Sequence, residues 1–150
     1  MHYSLKNNSG LDLEKLMGLV RDFMPYARKR LGYNKPVCIE LVSDPENGKK
    51  DFGRTAHYSP SELKVVLYVD GRHHKDILRS LSHELVHHVQ NCRGEFDREF
   101  KTGAGYAQED GHLRDMEKEA YLEGNLCLRD YEDGVKNKGL FEKLLKEWCN

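Results

Sequence analysis

Ser82-His83-Glu84-Leu85-Val86-His87-His88 contains His83, Glu84 and His87 in the pattern H-E-x-x-H. On a helix, residues four apart share a face, so His83 and His87 can turn two imidazoles toward one point while Glu84 stands beside them. A metal ion is the partner such a pair suits. Catalytic zinc takes neutral imidazole nitrogens at about 2.0–2.1 Å and keeps one position open for water. Glu84 is then placed to take that water's proton.

A chain with eight histidines produces this pattern by accident at odds on the order of one in a few tens, so the flanking residues decide its weight. Asp76 stands as a cap, and Ile77, Leu78, Leu81, Leu85 and Val89 recur at helical spacing. The pattern predicts a helix over 76–91, stopped by Gly94 and preceded there by the basic Arg93.

Working outward, Ser9-Gly10-Leu11-Asp12 opens a helix carrying Leu13, Leu16, Met17, Val20, Phe23, Met24 and Ala27, which ends at Leu31 before Gly32, with Pro25 as a kink. The β-branched run Val37-Cys38-Ile39-Glu40-Leu41-Val42 predicts a strand, and two more are expected over 52–58 and 63–69. Beyond the motif helix lies a polar, glycine-containing excursion over 93–111, then a helix over 113–131. A short last helix over 139–149 carries Leu140, Phe141, Leu144, Leu145 and Trp148 as an apolar stripe. This order predicts an α+β domain spanning 1–150: an N-terminal helix, a small, mostly antiparallel sheet, the motif helix and C-terminal helices.

The formal net charge of −1 offers no general field for nucleic acid or an anionic membrane. The basic cluster Arg28-Lys29-Arg30 fits the solvated end of a helix. Cys38, Cys92, Cys127 and Cys149 show no C-x-x-C pairing, which argues against a zinc finger or a disulfide framework and for reduced thiols. The N-terminal residues lack the apolar core of a signal peptide, and no segment is long and apolar enough to span a bilayer. A cytoplasmic protein is expected, without nucleic-acid or membrane partners.

Catalytic zinc ordinarily has a third protein ligand. The extended pattern H-E-x-x-H-x-x-G-x-x-H would need glycine at 90 and histidine at 93, where this chain has Gln90 and Arg93. Other donors are Glu117, Glu119, His112 and Cys92. The stretch Glu119-Ala120-Tyr121-Leu122-Glu123 resembles the second motif of the gluzincins, in which a ligand glutamate is followed by a small residue and, four positions on, by an acidic residue. The resemblance implies that Glu119 is the third ligand and that Glu123 hydrogen-bonds a ligating imidazole. Glu117, on another face and without an acidic residue four positions later, is the rival.

Residues 71–90 also resemble metallopeptidases encoded by tailed bacteriophages and, more broadly, single-domain minigluzincins; Tyr121-Leu122-Glu123 departs from the branch that cleaves phage repressors. The resemblance implies a zincin-like fold, one zinc ion per chain, a peptide or protein substrate, Glu84 as general base, and a host-cytoplasmic location for a phage-encoded chain. A tyrosine or histidine that steadies the oxyanion is also implied, with Tyr131, His112 and Tyr106 as candidates, and Tyr121, His73 and His74 further ones. A catalytically silent zincin-like module that binds protein is the alternative from another class. Neither motif nor composition bears on oligomeric state or cleavage specificity.

Overall fold

The computed structural model describes residues 2–48, 55–96 and 106–137, and within the last stretch the side chains of 111–134. Along the chain these form β1 (Tyr3–Asn7), α1 (Glu14–Leu31), β2 (Val37–Val42), α2 (Pro45–Gly48), β3 (Ala56–Ser59), β4 (Lys64–Tyr68), α3 (His74–Cys92) and α4 (Tyr106–Asn137). The fold is α+β, as the element order predicts. The expected helix over 139–149 lies outside the described residues.

The sheet differs from expectation in two ways. It has a fourth strand at the N-terminus, and it is mostly parallel: the order is β1-β2-β4-β3, with β1 parallel to β2, β2 parallel to β4, and only β3 antiparallel to β4. The reason lies in the connections. α1 carries the chain back across the sheet between β1 and β2, the crossover that a parallel pair needs, whereas the short turn after Ser59 can join only antiparallel neighbours. The segment Tyr3-Ser4-Leu5-Lys6-Asn7 gives only a weak strand signal because it is short and its inward face holds just two apolar residues, Tyr3 and Leu5, with Asn7 as the third.

Strand β2 alternates buried and half-exposed residues, burying Val37, Ile39 and Leu41 on one face. The helices cover that face. α1 contributes Leu16, Val20, Phe23, Met24 and Ala27, and α3 contributes Ile77, Leu81 and Leu85, to the same core. Pro25 is accommodated inside α1, and Gly32 ends that helix in the left-handed conformation at φ 81°, its N–H donating to the Arg28 carbonyl. No helix among the described residues is long and apolar enough to cross a membrane.

Arg72 ties the sheet to the start of α3. Its guanidinium donates to the carbonyls of Thr55 (2.8 Å) and Tyr68 (2.9 Å) at the ends of β3 and β4, and to the Asp76 carbonyl and Ser80 Oγ on the helix. A second tie runs through His88, which is wholly buried. Its Nε2–H donates to the Lys35 carbonyl at 2.9 Å, so Nδ1 is free to accept the Tyr58 hydroxyl at 2.7 Å. That hydroxyl in turn accepts from Asn91 Nδ2 at 2.9 Å. Both ring nitrogens of His88 are matched, and burial holds its pKa below the usual value, in keeping with a neutral ring. Together these ties fix β3 alongside α3.

Candidate metal centre

α3 begins two residues ahead of the predicted start. His73, not Asp76, caps it, with Nδ1 accepting the Lys75 N–H at 3.2 Å; Asp76 pairs instead with Arg79 at 2.8 Å. At the far end Gly94, at φ 83°, turns the chain, while the N–H groups of Gly94 and Glu95 satisfy the carbonyls of Asn91 and Gln90. Within the helix, His83 and His87 lie one turn apart, their ring centroids 5.0 Å from each other. They face α4.

α4 reaches them because one of its contact residues has no side chain. A Cβ on Gly124 would stand 3.0 Å from both the Cα and the N of His83, and the Gly124 carbonyl accepts a hydrogen bond from the buried Ser82 hydroxyl at 2.7 Å. Met116, Ala120, Cys127, Leu128 and Tyr131 are buried on the same side of α4. Glu117 flanks this stripe, about 50° from its middle at 100° per residue, whereas Glu119 is about 110° from it.

The third donor is therefore Glu117. Its Oε1 lies 2.8 Å from His87 Nε2 and its Oε2 lies 3.4 Å from His83 Nε2. The ligand atoms of His83, His87 and Glu117 all fall within 4.8 Å of one another, the one such group among the described residues. This corrects the assignment implied by the gluzincin resemblance. Glu119 points away, receiving Arg93 Nη2 at 2.5 Å and Gln90 Nε2 at 2.9 Å, and the Arg93 contact holds its carboxyl pKa below the usual range. Glu123, expected to support an imidazole, lines a separate recess of about 200 Å³ on the other side of α3 with Arg30, Arg93 and Glu119.

Support for an imidazole comes from Gln90 instead. Its Nε2 donates to the Met116 carbonyl (2.9 Å) and to Glu119, so its Oε1 must be the atom that meets His87 Nδ1 at 2.8 Å. A carbonyl oxygen only accepts, so Nδ1 carries the proton. In the neutral ring Nε2 is then a bare lone pair 2.8 Å from a carboxylate oxygen, a repulsive contact unless a cation or a proton lies between them.

The donor set fits zinc. Two donors about 2.1 Å from one ion in tetrahedral array lie about 3.4 Å apart. One Glu117 oxygen, Oε2, stands 3.4 Å from His83 Nε2 and the other, Oε1, 2.8 Å from His87 Nε2, so the carboxylate spans the two rings and a small adjustment brings one oxygen to a shared ion. Two imidazole nitrogens and one carboxylate oxygen also make a set that leaves a fourth position for water or substrate. His83 is held below its usual pKa chiefly by burial and next by His87, which favours the unprotonated ring that a ligand requires.

Beside the donors opens a cleft of about 320 Å³, lined by His57 and Tyr58 of β3, Glu84 and His87 of α3, Phe96, and Leu113 and Glu117 of α4. Burial pushes the Glu84 carboxyl up to about 7, with the nearby Glu117 charge adding to it and His87 opposing. A cation on the neighbouring donors would draw it down again.

Of the expected oxyanion donors, Tyr131 is excluded: it is buried against Phe23 in the core, and its hydroxyl donates to Asp22. Among the described residues His112 is not one of the gathered donors, and its buried Nε2 has no hydrogen-bond partner there. The Tyr106 side chain lies outside the described residues. Tyr121, 64% exposed, sets its ring edge against His83 with centroids 4.7 Å apart. His73 serves as the cap, and His74 lies one residue further on at the start of the helix.

Sequence reasoning missed Gln90, Gly124 and Ser82. Gln90 carried a signal, since a residue three positions after a ligand histidine lies on nearly the same helix face. Gly124 carried one too, as a glycine in the middle of a helical pattern. The chain matches no protein-family model, no curated protein and no solved structure.

Proposed function

We propose that the chain is a zinc-dependent peptidase, with His83, His87 and Glu117 holding the metal and Glu84 as general base. The observation that carries this reading is the meeting of three electron-pair donors, one of them an imidazole whose other nitrogen Gln90 keeps protonated. Such a contact is relieved by a cation or a proton, and three converging donors suit a metal ion. Zinc bound there supplies Lewis-acid chemistry, acidifying a water and polarising a carbonyl.

Glu84, a residue along α3 from His83 and in the wall of the same cleft, takes the water's proton and hands it to the leaving amine. A carboxyl whose pKa is lifted by burial is a stronger base than an exposed one, and it sheds that proton readily once the amine forms. A chain retained only for binding protein has no need of this residue.

The substrate class follows from β3. Among the described residues it is the outer strand next to the cleft, since β4 is enclosed between β2 and β3. Among the described residues β3, and not β4, has an open edge there. An open strand edge offers unpaired N–H and C=O groups to an extended peptide backbone, so the scissile bond is brought past Glu84 by strand addition.

The test is metal analysis of the purified protein joined to cleavage of a proteome-derived peptide library, with wild type compared with Glu84→Gln. About one zinc per chain is expected in both, and cleavage in the wild type alone. Protein that takes up no zinc after repletion would sink the proposal. Zinc without cleavage of any peptide would favour a silent protein-binding module.

A further inference from the structure

Gln90 is wholly buried, which is costly for an amide unless its polar atoms are matched. Its donors have two acceptors, the Met116 carbonyl at 2.9 Å and Glu119 Oε1 at 2.9 Å, and its acceptor has His87 Nδ1 at 2.8 Å. Rotating the amide by half a turn would place an oxygen against two acceptors and an NH₂ against the imidazole N–H. One orientation satisfies all three contacts. Glu119 is itself clamped by Arg93, which contacts both carboxylate oxygens, at 2.5 Å and 3.3 Å.

From this arrangement we infer that Gln90 is a positioning residue of the metal centre, holding His87 as the Nδ1–H tautomer with Nε2 directed at the metal, and that Glu119, anchored by Arg93, keeps the Gln90 amide in the orientation this requires. The inference rests on the proposed metal site and gives Glu119 a supporting role, with two residues, Gln90 and His87, between it and the ion. It also explains why a buried amide is tolerated between α3 and α4: it joins His87 on one helix to the Met116 carbonyl and the Glu119 side chain on the other. A partner on the far nitrogen of a ligating histidine fixes ring orientation and raises basicity, and its loss typically weakens metal retention by about 10- to 100-fold.

The experiment compares wild type, Gln90→Met, Glu119→Ala and Glu119→Gln. Zinc affinity is measured by chelator competition, and the His87 tautomer in the zinc-free protein by ¹⁵N-resolved NMR of the imidazole at a pH high enough that the ring carries a single proton. Gln90→Met, close in volume and without the carbonyl, should lose about 10- to 100-fold in zinc affinity and show a mixture of tautomers where the wild type shows Nδ1–H alone. Glu119→Ala should lose less, about 3- to 10-fold, and Glu119→Gln, which still offers Gln90 an acceptor, should stay within about threefold of wild type.

A folded Gln90→Met protein with wild-type zinc affinity and an unchanged tautomer overturns the inference. Should that variant fail to fold, the Glu119 pair decides: equal losses in both variants would mean that charge, not the acceptor, matters, and no loss in either would mean that the anchor is idle. Either result overturns it. A wild type that retains no zinc defeats the peptidase reading, while the tautomer still decides whether Gln90 governs the ring.

Discussion

Replacing Gly124 by alanine sets two opposing effects against each other at the contact that brings α4 to His83. In a helix interior, alanine is favoured over glycine by about 0.8–1.0 kcal/mol. The new Cβ, however, would stand 3.0 Å from the Cα and the N of His83. Both are backbone atoms of a packed helix and cannot swing aside as a side-chain tip can, so the helices must separate. Overpacking of this kind costs about 1–3 kcal/mol, which leaves a net loss of about 0–2 kcal/mol after the propensity gain. Gly18, exposed on α1, meets nothing within 4 Å of its added Cβ. Gly18→Ala should therefore gain nearly the full propensity, and the two variants should differ by about 1–3 kcal/mol, or about 2–12 °C in Tm for a chain of this size. Urea denaturation and thermal melting of the metal-free proteins measure the difference. Separation of α3 from α4 should also weaken zinc binding in Gly124→Ala and leave it unchanged in Gly18→Ala. Equal stabilisation by both substitutions would refute the close-contact argument.

Glu117→Ala should reduce zinc affinity by more than about 100-fold, beyond the effect expected of any supporting residue, and chelator competition with Glu119→Ala alongside would expose a reversed assignment. Arg72→Ala removes donors to Thr55, Tyr68, Asp76 and Ser80, and should cost about 2–4 kcal/mol in denaturant unfolding; a loss under about 0.5 kcal/mol would show that water replaces the guanidinium. Tyr33 and Tyr131 have phenol pKa values raised mainly by burial. A raised acid pKa means that the folded state holds its proton longer, so stability is intact below the unfolded value of about 10 and declines as pH climbs from there. Alkaline unfolding followed at the tyrosinate absorbance should show this decline, and Tyr131→Phe should make it shallower.

The motif helix was legible because its signals agree: apolar spacing, a ligand pair one turn apart, and Gly94 at the end. The sheet was less so. Strand runs such as Val37–Val42 announce themselves by β-branched residues, but pairing direction depends on which connections cross the sheet, and for the β1–β2 pair that depends on recognising β1, which has only Tyr3 and Leu5 as apolar residues. At the site, His83, Glu84 and His87 come from one local pattern, while the third donor comes from a contact between two helices. Local spacing cannot say which face of α4 is turned inward. The buried stripe of Met116, Ala120, Gly124, Cys127 and Leu128 says so, and it favours Glu117. The pattern Glu119-Ala120-x-x-Glu123 drew attention to carboxylates that serve Gln90 and a neighbouring recess.

The step of seven positions from Glu117 to Gly124 amounts to about two helical turns, so the donor and the close contact point the same way, with Ala120 between them. A chain that shares this arrangement need not share the order of acidic residues in the gluzincin second motif. It needs room at two successive turns after the glutamate. H-E-x-x-H-x-x-Q followed at a distance by E-x-x-A-x-x-x-G is thus a signature set by clearance as much as by ligation, and it would pick out relatives that a template keyed to carboxylates passes over.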